Sequence, residues 1–135
     1  MLVGFHIGQL ELVRFFPTQL TVHAGDTVEW ALSKQNDFPH TITFLNGNPE
    51  PDVALPVPQP MGPPILLFNP EVLFPQNAGQ PLTSQGIYSS GFLNPVGGGP
   101  TSYSLQIGNI SGQEPYECLL HDSSGMKAAL HIVPR

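Results

Sequence analysis

The chain contains one cysteine, so no disulfide closes within it and cysteine usage marks no redox compartment. Charge is also scarce. Only 10% of the 135 residues are charged and only four are basic, scattered at Arg14, Lys34, Lys127 and Arg135, for a formal charge of −6. Nucleic-acid affinity comes from neutralising phosphates with Lys and Arg, so this balance argues against a nucleic-acid partner. No apolar run reaches the roughly 18 residues needed to span a bilayer, and no transmembrane segment is expected. The opening residues, Met1 to His6, lack the basic flank and long apolar core of a signal peptide, and we read them as the start of a processed or excised domain. Long helix-type runs are few, whereas Gly and Pro number 14 and 16. Such punctuation favours a single all-β domain over residues 1–135, with long loops and a moderate core.

What is present is concentrated in one stretch, Tyr116-Glu117-Cys118-Leu119-Leu120-His121-Asp122-Ser123-Ser124-Gly125-Met126. It places thiolate, imidazole and thioether at the spacing C-x2-H-x4-M in a chain with only five His and three Met. Sulfur ligands stabilise Cu(I), imidazole accepts Cu(II), and a weak axial thioether leaves both states tolerable, so the set suits copper. A further imidazole is offered by Asp37-Phe38-Pro39-His40-Thr41-Ile42-Thr43-Phe44. Proline fixes its own φ and restrains the residue before it, so His40 starts an alternating strand from a fixed backbone. On that strand Ile42 and Phe44 share a side with His40, and Thr41 and Thr43 share the other. An isolated histidine there would be a core-edge residue satisfied by a hydrogen bond. Beside Cys118, His121 and Met126 we read it as a ligand, completing a His2Cys plane with a long Met bond, the pattern of a blue-copper site. His23, on the outer face with Thr21, is read as solvated, and His6 and His131 as surface residues.

With these residues in view, the chain resembles a plastocyanin-like cupredoxin, a type 1 blue copper protein. The resemblance rests on Phe16-Pro17, Leu20 to Val22, Ala24-Gly25-Asp26-Thr27-Val28-Glu29-Trp30, Pro39 to Phe44, and Tyr116 to Met126, about the first third and last quarter of the chain. It implies a Greek-key β-sandwich, one copper per chain held by His40, Cys118, His121 and Met126, and a periplasmic or otherwise extracytoplasmic location. It further implies that His121 reaches the surface through an apolar patch as the electron portal, with Leu119, Leu120 and Phe38 as candidates for that patch. A second route in the plant proteins uses a tyrosine beside the cysteine, and here that position is Glu117. The family commonly carries an aromatic at the place of Glu114 and no proline at the place of Pro115. A proline donates nothing to a sheet ladder, so this strand is expected to be short or paired on one side only near its start.

Along the chain, Leu10 to Phe16 reads as a first strand ending at Pro17. Leu20 to His23 and Thr27 to Leu32 read as two strands around the tight turn Ala24-Gly25-Asp26, with Leu20, Val22, Val28 and Trp30 inward. Ser33 to Asp37 is a short polar connection to the His40 strand. From Asn46 to Pro100, a stretch holding 12 of the 16 prolines and Gly97-Gly98-Gly99, the chain reads as an insertion. Its apolar runs, Ile65 to Phe68 and Val72 to Phe74, are expected to pack over one face or edge of the sandwich, the alternative being a partner-binding flap. Gly86 to Leu93 is expected to add a short β element. Thr101 to Ile107 alternates with Tyr103, Leu105 and Ile107 on one side, ending at Gly108-Asn109. Tyr116 is read as a core aromatic beneath the metal, and Thr41 as the residue whose hydroxyl ties the His40 strand to the ligand loop. A last strand follows Met126, with Ala128, Leu130 and Ile132 on one side. It forms a hairpin with the Cys118 strand that brings Cys118 and Met126 together.

The function expected is one-electron transfer, Cu(II)/Cu(I), by an outer-sphere route through the exposed edge of His121, in a monomer and without enzymatic activity. The chain has no H-x-H pairs for a trinuclear copper cluster and no second cysteine for a thiolate-bridged pair. The alternatives are copper storage or delivery, an electron-relay domain excised from a larger copper enzyme, and a metal-free interaction module. The charge of −6 points to a basic or apolar redox protein as partner.

Overall fold

Alternating apolar residues pair into two sheets in the computed structural model, which describes residues 1–7, 10–34, 38–94 and 98–135, without the side chains of 5–7 and 10–12. In chain order the elements are β1 (Leu2–Ile7), β2 (Leu10–Phe16), β3 (Gln19–His23), β4 (Thr27–Leu32), β5 (Thr43–Phe44), β6 (Ala54–Val57), β7 (Ile65–Phe68), the one-turn helix α1 (Pro70–Leu73), β8 (Tyr88–Ser89), β9 (Ser102–Gln106), β10 (Gly112–Glu117) and β11 (Lys127–Val133). One sheet has the order β2-β1-β4-β9 and the other β3-β11-β10-β5-β8, while β6 and β7 form a separate ribbon. Pairs β1/β4 and β3/β11 are parallel. The sandwich is therefore all-β, as expected.

The turn between β3 and β4 passes from one sheet to the other. Asp26 closes it, its carboxylate accepting the His23 N–H at 2.9 Å while its own N–H donates to the His23 carbonyl at 3.1 Å. Gly25 occupies φ +90°, a conformation that a side chain would strain. Val22, Val28 and Trp30 point inward as the alternation predicts, and His23 is exposed. Trp30 is fully buried, with ring centroids of Tyr116, Tyr103 and Phe44 at 5.5, 5.7 and 6.0 Å. Phe15 and Phe44 lie 4.9 and 5.0 Å from Tyr116, which makes that tyrosine the core aromatic expected.

Several readings change. Leu10 to Phe16 is the second strand, because Leu2–Ile7 already pairs with both β2 and β4. Gly4 at φ +67° and a register shift between Val3 and Phe5 interrupt the alternation by which β1 would have been read. The strand expected from His40 narrows to Thr43–Phe44, with His40 in an isolated bridge to Leu93. Here the Ile42 N–H donates to the Ser90 hydroxyl at 2.9 Å instead of to a strand. In the stretch 46–100, Gly86 to Leu93 does contribute β8, antiparallel to β5, and Val72 is fully buried. The run Ile65 to Phe68 is not packed over the sandwich. It pairs with Ala54–Val57 and stays exposed on both faces, since among the described residues this two-stranded ribbon joins neither sheet of the sandwich. Asp37 and Gly97 lie outside the described residues, as does the His6 side chain.

Pro115 is placed where it costs no ladder bond. The Cys118 N–H donates to the Met126 carbonyl at 3.1 Å, so alternate residues Tyr116 and Glu114 bond to β11 and the Pro115 nitrogen faces away from it. Among the described residues, the other edge of β10 pairs only at Glu117↔Thr43, which bears out the expectation of one-sided pairing.

Because Trp30 joins both sheets through the aromatic cluster, replacing it with alanine removes the largest fully buried side chain. Trp30→Ala is expected to cost ~3–5 kcal/mol, read as a lowered urea midpoint at unchanged slope.

Candidate metal centre

His40 is held by its backbone before its ring is considered. Its N–H donates to the Leu93 carbonyl at 2.9 Å and its carbonyl accepts the Leu93 N–H at 2.8 Å. The next residue ties this segment to the cysteine. Thr41 N–H donates to Cys118 Sγ at 3.4 Å, and Thr41 Oγ1 accepts the Leu119 N–H at 2.9 Å. Thr43 Oγ1 donates to Thr41 Oγ1 at 3.1 Å and lies 3.0 Å from Ser89 Oγ, so a buried polar chain runs from β8 to the loop after β10. Thr41 fills the tying role expected of it, through its backbone N–H as well as its hydroxyl.

The segment from Cys118 to Met126 is a turn closed by its own backbone. The His121 N–H donates to the Cys118 carbonyl at 3.1 Å, and the His121 carbonyl accepts from Ser124 and Met126 at 3.0 and 3.2 Å. A 3-10 turn at Asp122–Ser124 ends at Gly125, whose φ of 81° is left-handed and favours glycine. Arg14, from β2, donates to the carbonyls of Ser124 and Gly125 at 3.4 and 3.1 Å. Sequence reasoning missed Arg14, because no local pattern links it to a loop over a hundred residues away.

These restraints bring the expected donors together. His40 Nδ1 lies 3.8 Å and His121 Nδ1 3.4 Å from Cys118 Sγ, and the three donor atoms all fall within 4.8 Å of one another. Cys118, His40 and Met126 are fully buried, and His121 is half-buried. Met126 is joined to the same turn through its bonds to Cys118 and His121. Of the residues expected to form the surface patch, Phe38 is exposed and Leu120 partly buried, whereas Leu119 is buried and is excluded from it.

The electrostatics favour metal-ready imidazoles. Burial, reinforced by the neighbouring His121 charge, lowers the His40 pKa to about 4, and burial lowers that of His121 against the opposing pull of Asp122. Both rings are thus held in the neutral form that binds metals. Burial raises the Cys118 pKa, opposed by backbone donors from Thr41, Leu120 and His121, so the thiol is held in its neutral form, and a metal bound there would have to displace that proton. Two neutral imidazoles, a protected thiol and a thioether form a borderline-to-soft donor set. A second group, Glu50, Glu117 and Asp122, also lies within 4.8 Å of one another, with Lys127 Nζ 3.7 Å from Glu117. Sequence spacing does not show this acidic cluster, since Glu50 comes from a distant loop.

No family model matches the chain, and no curated protein matches it. Solved structures do. An oxidized amicyanin variant superposes with a TM-score of 0.53 at 16% identity, covering 98% of this chain and 81% of that one. A Cu(I) form of another amicyanin variant gives 0.52 at 16% identity over 90% and 74%. A fern plastocyanin variant, at 20% identity over 90% of each chain, gives 0.49. The chain has the cupredoxin fold.

Thr41→Val leaves the buried Leu119 N–H without its acceptor, and is expected to destabilise the metal-free protein by ~1–3 kcal/mol, whereas Thr41→Ser retains most of the stability, as urea unfolding will show. The pH response follows from His40. Its pKa is lower in the folded chain, so the folded state binds fewer protons, and stability is full above 6.5 and falls as pH drops toward 4. The loss reaches roughly 3 kcal/mol and is read as the difference in urea midpoints between the parent and His40→Gln across that window.

Proposed function

We propose that the chain is a mononuclear type 1 copper protein that carries one electron at a time, with His40, Cys118, His121 and Met126 as ligands. The observation that supports this reading is the convergence of two imidazole Nδ1 atoms on one fully buried thiol. Bound there, copper supplies a couple between cupric and cuprous states that differs by a single electron.

The chain's own part is restraint. Leu93 fixes the backbone of His40, and Thr41 donates to the sulfur that Cys118 presents as thiolate after losing its proton. Arg14 and the left-handed Gly125 hold the turn that delivers His121 and Met126. A frame braced from both sheets lets the ligands change little between oxidation states, which favours fast outer-sphere exchange. His121 is the ligand with exposed surface, so its ring edge is the proposed portal. Glu117 stands beside Cys118 where a tyrosine would offer a second route, leaving His121 as the exit.

Copper delivery requires ligands that a recipient can reach. Cys118, His40 and Met126 present no surface, so their burial favours the carrier over the delivery reading.

Adding Cu(II) to the metal-free protein is expected to produce an intense visible thiolate-to-copper band and narrow parallel hyperfine splitting in electron paramagnetic resonance. Cys118→Ser is expected to lose both. A sample that stays colourless overturns the proposal, and rapid surrender of Cu(I) to a chelator without a reversible redox cycle favours delivery instead.

A further inference from the structure

The ribbon of β6 and β7 is the anomaly of the molecule. Its strands pair in register from Ala54↔Phe68 to Val57↔Ile65, yet Leu66 is 71% exposed, Phe68 57%, and Met61 at the tip 90%. Ile65 and Leu67 alternate with Leu66 and Phe68, so apolar side chains face water on both sides of the ribbon. A monomer rarely leaves such a contiguous apolar surface uncovered unless it binds something.

The ribbon is also braced. Five prolines between Ala54 and Phe68 restrict its backbone, and Asn69 pins its base, its N–H donating to the Val53 carbonyl and its side chain to the Asp52 carbonyl, both at 2.8 Å. Rigidity before contact lowers the entropy lost on binding. Its base adjoins both metal-site segments. The Phe68 ring lies 5.1 Å from that of Phe92, next to Leu93, which bridges His40. Glu50 places a carboxylate oxygen within 4.8 Å of one from Asp122 in the ligand turn, and Pro51 shares a small cleft with Leu119.

Charge selects the occupant. No charged residue occurs between Asp52 and Glu71, and no basic residue between Lys34 and Lys127. The ribbon is thus an uncharged finger with an acidic root of Glu50, Asp52 and Glu71, beside Glu117 and Asp122, and Lys127, 3.7 Å from Glu117, is one positive charge against these carboxylates. Two copies meeting there would oppose like charges, and an anionic lipid surface would be repelled.

We infer that this ribbon docks a cationic redox protein, seating its apolar finger in a cleft rimmed by Lys or Arg, beside the metal centre. The electron exchange rests on the carrier reading, with the partner reduced by one electron as the centre is oxidised. The docking rests on the ribbon alone.

The test uses tris(1,10-phenanthroline)cobalt(III), a cation with apolar edges, and hexaammineruthenium(III), a cation of equal charge without them. Met61→Ser/Leu66→Ser alters two highly exposed side chains and leaves the core intact. With copper(I)-loaded full chain, one electron passes to cobalt(III), giving cobalt(II). The variant is expected to slow this reaction about fivefold or more and to leave the ruthenium reaction unchanged, as loss of an apolar anchor predicts. On the metal-free chain, the cobalt(III) complex is expected to shift amide resonances of residues 54–68 in the parent and not in the variant. If the copper-loaded protein shows no thiolate band, the carrier reading fails, and these amide shifts still decide the docking. Unchanged rates together with unshifted ribbon amides overturn the inference. So does dimerisation in sedimentation equilibrium, or binding to neutral phosphatidylcholine vesicles, that the same substitutions abolish.

Discussion

The site depends on the grip of Thr41 on the ligand loop, across 77 residues of sequence. With its backbone N–H it reaches the sulfur of Cys118, and with its hydroxyl it accepts from the residue that follows. All of this is buried, where a satisfied hydrogen bond is strong and a missing one is expensive. The grip therefore works as an alignment device. If the His40 segment and the ligand turn slip past one another, both bonds break together.

Burial then does two things at once. It disfavours protons on the imidazoles and disfavours loss of the proton from the thiol, so the metal-free pocket rests in an uncharged state. That state suits a low-dielectric interior and leaves the imidazole lone pairs ready. Meanwhile the turn carrying His121 is closed by its own carbonyls and braced from the opposite sheet by Arg14. Local closure and a distant brace are complementary, since the first sets the shape of the turn and the second its position.

The clustering of His40 with Cys118 and His121 was legible in the sequence because Cys118, His121 and Met126 sit within one turn and His40 follows a proline. Strands with clean alternation, such as Thr27 to Leu32, were legible for the same local reason. What escaped depends on contacts between distant parts of the chain. β1 is masked by the left-handed Gly4. The strand after His40 is cut short by the hydroxyl of Ser90, which takes the Ile42 N–H. Leu119 reads as a surface residue by its neighbourhood, yet the Thr41 bond draws its backbone inward. Ile65 to Phe68 reads as core by composition, and only the pairing shows that it faces water.

Pro115 has a consequence beyond the strand it occupies. The flank of β10 that β5 leaves open would otherwise present a row of donors and acceptors to any passing chain. With the nitrogen at 115 carrying no hydrogen, an arriving strand meets a gap where it needs a bond. One absent hydrogen at 115 thus disfavours the addition of a second copy, strand to strand, along that side.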